Sequence, residues 1–129
     1  MNRLYHKPKR NSYFVDGGTS NNGYSNQSSI VCVTDRLGKV LVEKQIGNKT
    51  NNEAELTAIL EAVKITPSPH IYSDSQLAVR LLQRKYRTKI SRLLKILKEI
   101  DETKNTFTIS WIPREYNLAG YILEQKYGL

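Results

Sequence analysis

The alternation of apolar and polar residues in the first third of the chain predicts a β meander. Runs rich in β-forming residues at positions 12–16, 28–34 and 40–46 are separated by turn-forming residues, with Asp-Arg-Leu-Gly between the second and third. Gly17 and Gly18 are expected to end the first strand, and residues 19–26 to form a turn. Consecutive strands joined by short turns pair antiparallel.

The rest of the chain alternates helices with strands. Apolar residues at helical spacing predict a helix over residues 51–65, with Asn51 or Asn52 as its N-cap. The other predicted elements are helices over residues 76–83, 90–100 and 117–125 and strands over residues 70–73 and 107–111. This order indicates an α/β fold with a five-stranded mixed sheet, an antiparallel meander followed by parallel strands, flanked by helices.

Composition limits the class of protein further. The 129 residues are 39% apolar, which suits one domain with a modest core, preceded by a flexible basic leader over residues 1–11. No stretch approaches the roughly 20 apolar residues that a membrane helix needs, so we expect no membrane partner. Cys32 is the single cysteine and excludes an intrachain disulfide, and we therefore expect a reducing, cytoplasmic location.

The charge of the chain favours a polyanionic partner. The formal net charge is +8, and residues 75–98 hold eight basic residues and no acid. These eight are Arg80, Arg84, Lys85, Arg87, Lys89, Arg92, Lys95 and Lys98. A basic helix from Arg80 to Lys98 is suited to hold nucleic acid phosphates, although a solvated helix face explains most such runs.

Three acids are placed where folding brings them together. Asp16 and Asp74 stand at the ends of the first and fourth predicted strands, and Glu55 lies in the first turn of the intervening helix on the side that faces the sheet. Each has an ordinary alternative as a turn residue, a helix N-terminal acid or an N-cap. Jointly they form a carboxylate cluster suited to Mg²⁺, and two such ions roughly 3.5–4 Å apart can promote phosphodiester hydrolysis.

Four sequence blocks resemble type 1 ribonucleases H, and the resemblance runs from residue 13 to about residue 123. The blocks are FVDGG at 14–18, TNNEAEL at 50–56, YSDSQ at 72–76 and WIPRE at 111–115. A single block would be weak, but the first three in this order are a specific signal. The resemblance implies the RNase H-like fold and a monomeric endonuclease that cuts the RNA strand of an RNA/DNA hybrid, leaving 5′-phosphate and 3′-hydroxyl ends.

The resemblance also implies roles for individual residues. Asp16, Glu55 and Asp74 match the first three carboxylates of the family's Asp-Glu-Asp-Asp set, which binds two Mg²⁺ ions, with Mn²⁺ as a substitute. The positions that match substrate-binding residues are Gly17, Asn22, Thr50, Asn51, Asn52 and Gln76. Polar groups of this kind suit the wide minor groove and its 2′-hydroxyls. Helix capping is the alternative for Thr50 and Asn51.

The fourth carboxylate position departs from the family pattern. Relatives carry an Ala-Asp pair at the start of the last helix, where this chain has Ala119-Gly120. Asn117 lies one turn earlier on the same face, so we expect its amide oxygen to serve as the fourth catalytic and metal ligand. The alternative is that Asn117 only caps the helix. Glu115 and Glu124 are further candidates.

Two other functions stay open at this stage. A hybrid-binding module whose activity has faded would explain Gly120, which offers no ligand. A transposase-like or resolvase-like nuclease on the same fold would share the acidic cluster but not the block at residues 50–52 with Gln76. Fold alone does not separate these functions.

Overall fold

A computed structural model describes residues 9–20 and 28–129 and contains one five-stranded sheet with helices on both faces. The strands are β1 (Ser12–Ser20), β2 (Ser28–Asp35), β3 (Val40–Gly47), β4 (His70–Ser73) and β5 (Thr108–Trp111). The helices are α1 (Asn51–Val63), α2 (Gln76–Leu82), α3 (Ser91–Glu102) and α4 (Leu118–Tyr127), and a 3₁₀ turn covers Arg114–Tyr116. No helix in these two ranges is long and apolar enough to cross a membrane.

The sheet has the predicted mixed topology. Its strand order is β3-β2-β1-β4-β5, in which β1–β2 and β2–β3 are antiparallel, and β1–β4 and β4–β5 are parallel. Because the side chains of a strand alternate between faces, Val15 on β1 packs in a core with α1 and α3, and Phe14 packs in a second core with α4. Burial of a side chain such as Ile59 in the first core contributes about 1.5–3 kcal/mol.

The two glycines of the first motif do not end β1, so the predicted strand end is wrong. The strand continues to Ser20, with Gly17 paired to Val31 and Gly18 paired to Ile30. Gly17 is needed because α1 lies directly against it: a Cβ there would be 2.2 Å from the carbonyl oxygen of Ala54. The glycine thus permits a close approach between strand and helix rather than a turn.

The N-cap of α1 is Thr50, which confirms the capping alternative for this residue, whereas the prediction of Asn51 or Asn52 as the N-cap is wrong. The Thr50 hydroxyl accepts from the backbone N–H of Glu53 at 3.2 Å, and the Glu53 carboxylate accepts from the Thr50 N–H at 3.0 Å. This capping box contributes about 1 kcal/mol. Asn51 is the first helical residue, and its Oδ1 accepts from the backbone N–H of Thr19 at 3.0 Å. The start of α1 is therefore tied to the end of β1.

The basic segment is not one continuous helix, which corrects the expectation from the sequence. α2 ends at Leu82 and α3 begins at Ser91, and Arg84 between them has a φ of +61°, which no α-helix accommodates. Lys85, Arg87 and Lys89 lie exposed in the connecting loop. Their charges are therefore presented by irregular backbone beside α3.

Candidate active site

The structure brings Asp16, Glu55 and Asp74 together. One carboxylate oxygen from each lies within 4.8 Å of the others. β1 and β4 are parallel neighbours in which Val15 pairs with Ser73. The residues that follow this pair, Asp16 and Asp74, therefore lie side by side. Glu55 comes from the first turns of α1, which Gly17 allows to lie against β1. Three separate elements thus converge on one acidic cluster.

Glu55 has a buried oxygen that accepts no hydrogen bond among the described residues. Its Oε1 accepts from the Gly17 N–H at 3.1 Å, whereas its Oε2 has no partner. The residue is only 8% exposed, so an unpaired carboxylate oxygen there is costly. A hard divalent cation such as Mg²⁺ takes oxygen ligands of this kind, and the donor set therefore fits such an ion.

Burial and mutual repulsion disfavour the charged forms of two of the acids. Burial is the largest cause that raises the pKa of Glu55 well above its ordinary value of 4.5, followed by the negative charge of Asp16. Burial likewise raises the pKa of Asp16, and the negative charge of Asp74 raises it further. A hydrogen bond from the protonated form of Glu55 and the positive charge of Arg114 lower this pKa, but by less. The cluster therefore favours a proton or a cation over three bare charges.

Arg114 is a site residue that the sequence reasoning missed. Its Nη1 lies 3.1 Å and 3.2 Å from the two Asp16 carboxylate oxygens and 3.3 Å from Asp74 Oδ2. Its Nη2 donates to the carbonyl oxygen of Leu129 at 2.9 Å. Although burial alone lowers the pKa of Arg114, the charges of Asp16 and Asp74 raise it overall. The only sequence signal was its place in the WIPRE block.

The Asn117 side chain is buried and makes four hydrogen bonds with described residues. Its Oδ1 accepts from the backbone N–H groups of Ala119 at 3.1 Å and Gly120 at 3.3 Å, which makes it the N-cap of α4. Its Nδ2 donates to the Val15 carbonyl and to Asp74 Oδ2, both at 2.9 Å. For Asn117 to ligate a metal through oxygen, the amide would have to turn over and leave the cap. Its role as a ligand stays a prediction.

Asp74 is held from a second side as well. The indole N–H of Trp111 donates to the Asp74 backbone carbonyl at 3.1 Å. Glu115 and Glu124, the other candidates for a fourth ligand, are exposed and lie outside the acid group formed by Asp16, Glu55 and Asp74.

Position 120 faces the cluster directly. A Cβ at Gly120 would lie 3.4 Å from Asp16 Oδ2 and 3.2 Å from Arg114 Nη1. A side chain at this position would therefore point at the carboxylates, and in its absence the Arg114 guanidinium lies there.

Comparison with known proteins identifies the family. A family model described as RNase H matches residues 8–114, which is most of the chain. The chain belongs to the RNase H family. It is therefore a ribonuclease H enzyme, and membership of this family accounts for the four sequence blocks.

Solved structures of ribonucleases H share the fold. LC11-RNase H1, isolated from compost by a metagenomic approach, matches with a TM-score of 0.64 and 26% identity over 91% of this chain and 94% of that one. Its structure in complex with an RNA/DNA hybrid matches with a TM-score of 0.62 and 27% identity over 82% and 87%. The N-terminal RNase H domain of rv2228c from Mycobacterium tuberculosis has a TM-score of 0.68 at 24% identity, covering 87% and 93%.

The predicted substrate-binding positions that the structure describes are close in sequence to the three acids. Thr50 and Asn51 line a small open groove of about 600 Å³ together with Lys49 and Arg92. Asn52 is exposed at the start of α1, and Gln76 is exposed at the start of α2, two residues after Asp74. Asn22 lies outside the described residues. The contacts of these residues with nucleic acid stay predictions.

The raised pKa of Glu55 predicts how the stability of the metal-free enzyme depends on pH. A carboxyl whose pKa is higher in the folded than in the unfolded state stabilises the fold fully below its unfolded pKa, here about 4.5, and loses that contribution as pH rises through the folded pKa. In the presence of a chelator, the free energy of unfolding should fall more steeply above pH 4.5 for the parent than for Glu55→Gln. Urea unfolding at several pH values measures this. Equal pH dependence of parent and variant would contradict the environment assigned to Glu55.

Proposed function

We propose that this ribonuclease H is an endoribonuclease that hydrolyses the RNA strand of RNA/DNA hybrids with two divalent ions, Mg²⁺ or in its place Mn²⁺. The observation that carries the proposal is the cluster of three carboxylates with an unpaired buried oxygen on Glu55. The hybrid bound in the LC11-RNase H1 structure supports the substrate class.

Asp16, Glu55 and Asp74 would hold the ions. When bound, the two ions supply the charge that activates a water molecule and stabilises the leaving oxygen of the phosphodiester. The chain itself fixes the ligands: Asp16 is 1% exposed on a central strand, and Asn117 and Trp111 hold Asp74. Such rigid positioning is the main contribution a protein makes to phosphoryl transfer chemistry. We propose that the amide oxygen of Asn117 is the fourth metal ligand of the site.

Recognition of the hybrid would come from polar groups beside the cluster and basic groups further away. Thr50, Asn51, Asn52 and Gln76, together with Gly17 and Asn22, are proposed to contact the minor groove, where 2′-hydroxyls distinguish RNA from DNA. The exposed loop between α2 and α3, with Lys85, Arg87 and Lys89, is proposed to hold phosphates of the DNA strand.

The basic loop should contribute to the salt dependence of hybrid binding. Changing Lys85, Arg87 and Lys89 together to glutamine should lower the slope of log affinity against log salt by about one unit for each phosphate that the variant no longer neutralises. Fluorescence anisotropy at several salt concentrations measures the slope. The matched control changes Arg36, Lys39 and Lys64 to glutamine, because these residues lie in the β2–β3 turn and just after α1, at the end of the sheet away from the acidic cluster. If both triple variants kept the parent slope, the loop would have no role in binding.

The proposed substrate class is tested with three labelled duplexes of one sequence: RNA/DNA hybrid, duplex DNA and duplex RNA. We expect the RNA strand of the hybrid to be cut fastest. Cleavage of duplex DNA at a similar rate would overturn the proposal in favour of the transposase-like nuclease.

One observation favours a second candidate function, a hybrid-binding module with little activity. Gly120 offers no fourth carboxylate, and the positive guanidinium of Arg114 lies beside it. In the same assay this candidate predicts a hybrid that is bound but left uncut at saturating Mg²⁺ and Mn²⁺.

A further inference from the structure

The guanidinium of Arg114 contacts two of the three acids of the cluster. Nη1 is within 3.1–3.3 Å of three carboxylate oxygens, two on Asp16 and one on Asp74. Two of the three acids that converge on the site thus share one positive charge from the protein itself. The third acid, Glu55, keeps its Oε2 unpaired among the described residues.

Gly120 lets the guanidinium lie closer to α4 than a side chain at this position would. A Cβ at position 120 would be 3.2 Å from Arg114 Nη1 and 3.4 Å from Arg114 Cζ, closer than most real Cβ contacts in the first case. The missing side chain at position 120 and the position of the Arg114 guanidinium are therefore linked.

The Arg114 side chain is also placed so that it can leave. It is 45% exposed, and away from the two acids it donates a hydrogen bond from Nη2 to the Leu129 carbonyl. Its exit into water leaves Asp16, whose side chain is only 2% exposed, without a counter-ion, so the exit is favoured only when another cation takes over that role.

We propose that Arg114 is a resident counter-ion that competes with one of the two divalent ions for Asp16 and Asp74. The proposal rests on the metal-dependent function proposed above. In the metal-free protein the guanidinium offsets the carboxylate charge, and a divalent ion binds only as it moves aside. The same charge that stabilises the carboxylates without metal therefore weakens metal affinity.

Calorimetric titration with Mn²⁺ and with Mg²⁺, without nucleic acid, tests the competition. Arg114→Gln should bind the ions about tenfold or more tightly than the parent, because a positive charge in contact with two ligands is removed. The matched control is Arg36→Gln, which removes an arginine in the β2–β3 turn, at the end of the sheet away from the acid group. Its affinity should equal that of the parent.

Thermal unfolding supplies a second measurement on the same proteins. With chelator, Arg114→Gln should melt below the parent, since the acids of the cluster are left without their counter-ion. Saturating Mg²⁺ should then raise the melting temperature of Arg114→Gln by more than it raises that of the parent.

Gly120→Ala tests the same competition with Arg114 retained. The added methyl group crowds the guanidinium and should tighten metal binding in the same direction as Arg114→Gln, by a smaller factor. This variant keeps the inference testable if Arg114→Gln fails to fold.

Equal or weaker metal binding by both Arg114→Gln and Gly120→Ala would overturn the inference. Because no substrate is present, the outcome is separate from the proposed activity. A parent that shows the competition but leaves hybrids uncut would refute the proposed function alone, and a parent that cuts hybrids without the competition would refute the inference alone.

Discussion

Asp16→Asn should lower the rate of RNA cleavage by at least about a hundredfold to a thousandfold while leaving the fold intact. The carboxylate is 1% exposed at the centre of the cluster, so the change removes a ligand charge without altering side-chain volume. Because burial raises the pKa of Asp16, its charge costs free energy in the metal-free protein. The variant should therefore melt, with chelator present, no lower than the parent.

Asp101→Asn is the matched control, since Asp101 is an exposed acid near the end of α3. Its turnover should equal that of the parent when both are assayed at equal concentration on the same hybrid. Near-normal turnover of Asp16→Asn would show that the acidic cluster is not the catalytic site.

Gly120→Asp should give the largest gain of activity, about tenfold or more at limiting Mg²⁺, since an added carboxylate strengthens cation binding. A Cβ at position 120 would lie 3.4 Å from Asp16 Oδ2, so the new carboxylate reaches the cluster. The same carboxylate can pair with the Arg114 guanidinium and draw it away from Asp16 and Asp74. Aspartate is also a slightly better helix former than glycine. Gly120→Asn, of the same size without the charge, is the control. Equal rates for the two variants would rule out the added charge as the cause.

Substitutions at Asn117 distinguish its two roles. Asn117→Ala should lower activity severely in either case, because it removes the cap of α4 and the hydrogen bond to Asp74. Asn117→Asp keeps the cap. If Asn117 ligates a metal, the aspartate retains or raises activity. If Asn117 acts through its Nδ2 donor, the aspartate places an acceptor against Asp74 and activity falls.

The order and type of the elements could be predicted because their periodicity is local. The meander, the helix with Leu56 and Ile59 on its buried face, and the alternation that follows all appear as predicted. Gly17 was misinterpreted for a physical reason. A glycine that ends a strand and one that admits a neighbouring backbone look identical in sequence, and only the position of Ala54 separates them.

The three acids of the site could be predicted because each is next to or within a recognisable element: Asp16 on the first strand, Asp74 directly after the fourth, and Glu55 near the start of α1. Arg114 could not, since it reaches Asp16 across 98 positions of the chain through a turn whose course no local pattern encodes. For Asn117 the sequence predicted two alternative roles, a metal ligand and the cap of the last helix. The cap is present, but which atom of its amide faces Asp74 depends on the packing of α4 against β1.

The most direct test of the proposed enzyme is cleavage of an end-labelled RNA strand within an RNA/DNA hybrid, followed with Mg²⁺, with chelator, and with Mg²⁺ restored. We predict shortened RNA with 3′-hydroxyl and 5′-phosphate ends only when the ion is present, an intact DNA strand throughout, and no products from Asp16→Asn. RNA cleavage undiminished by the chelator, or equal cleavage by Asp16→Asn, would contradict a metal-dependent site at Asp16, Glu55 and Asp74.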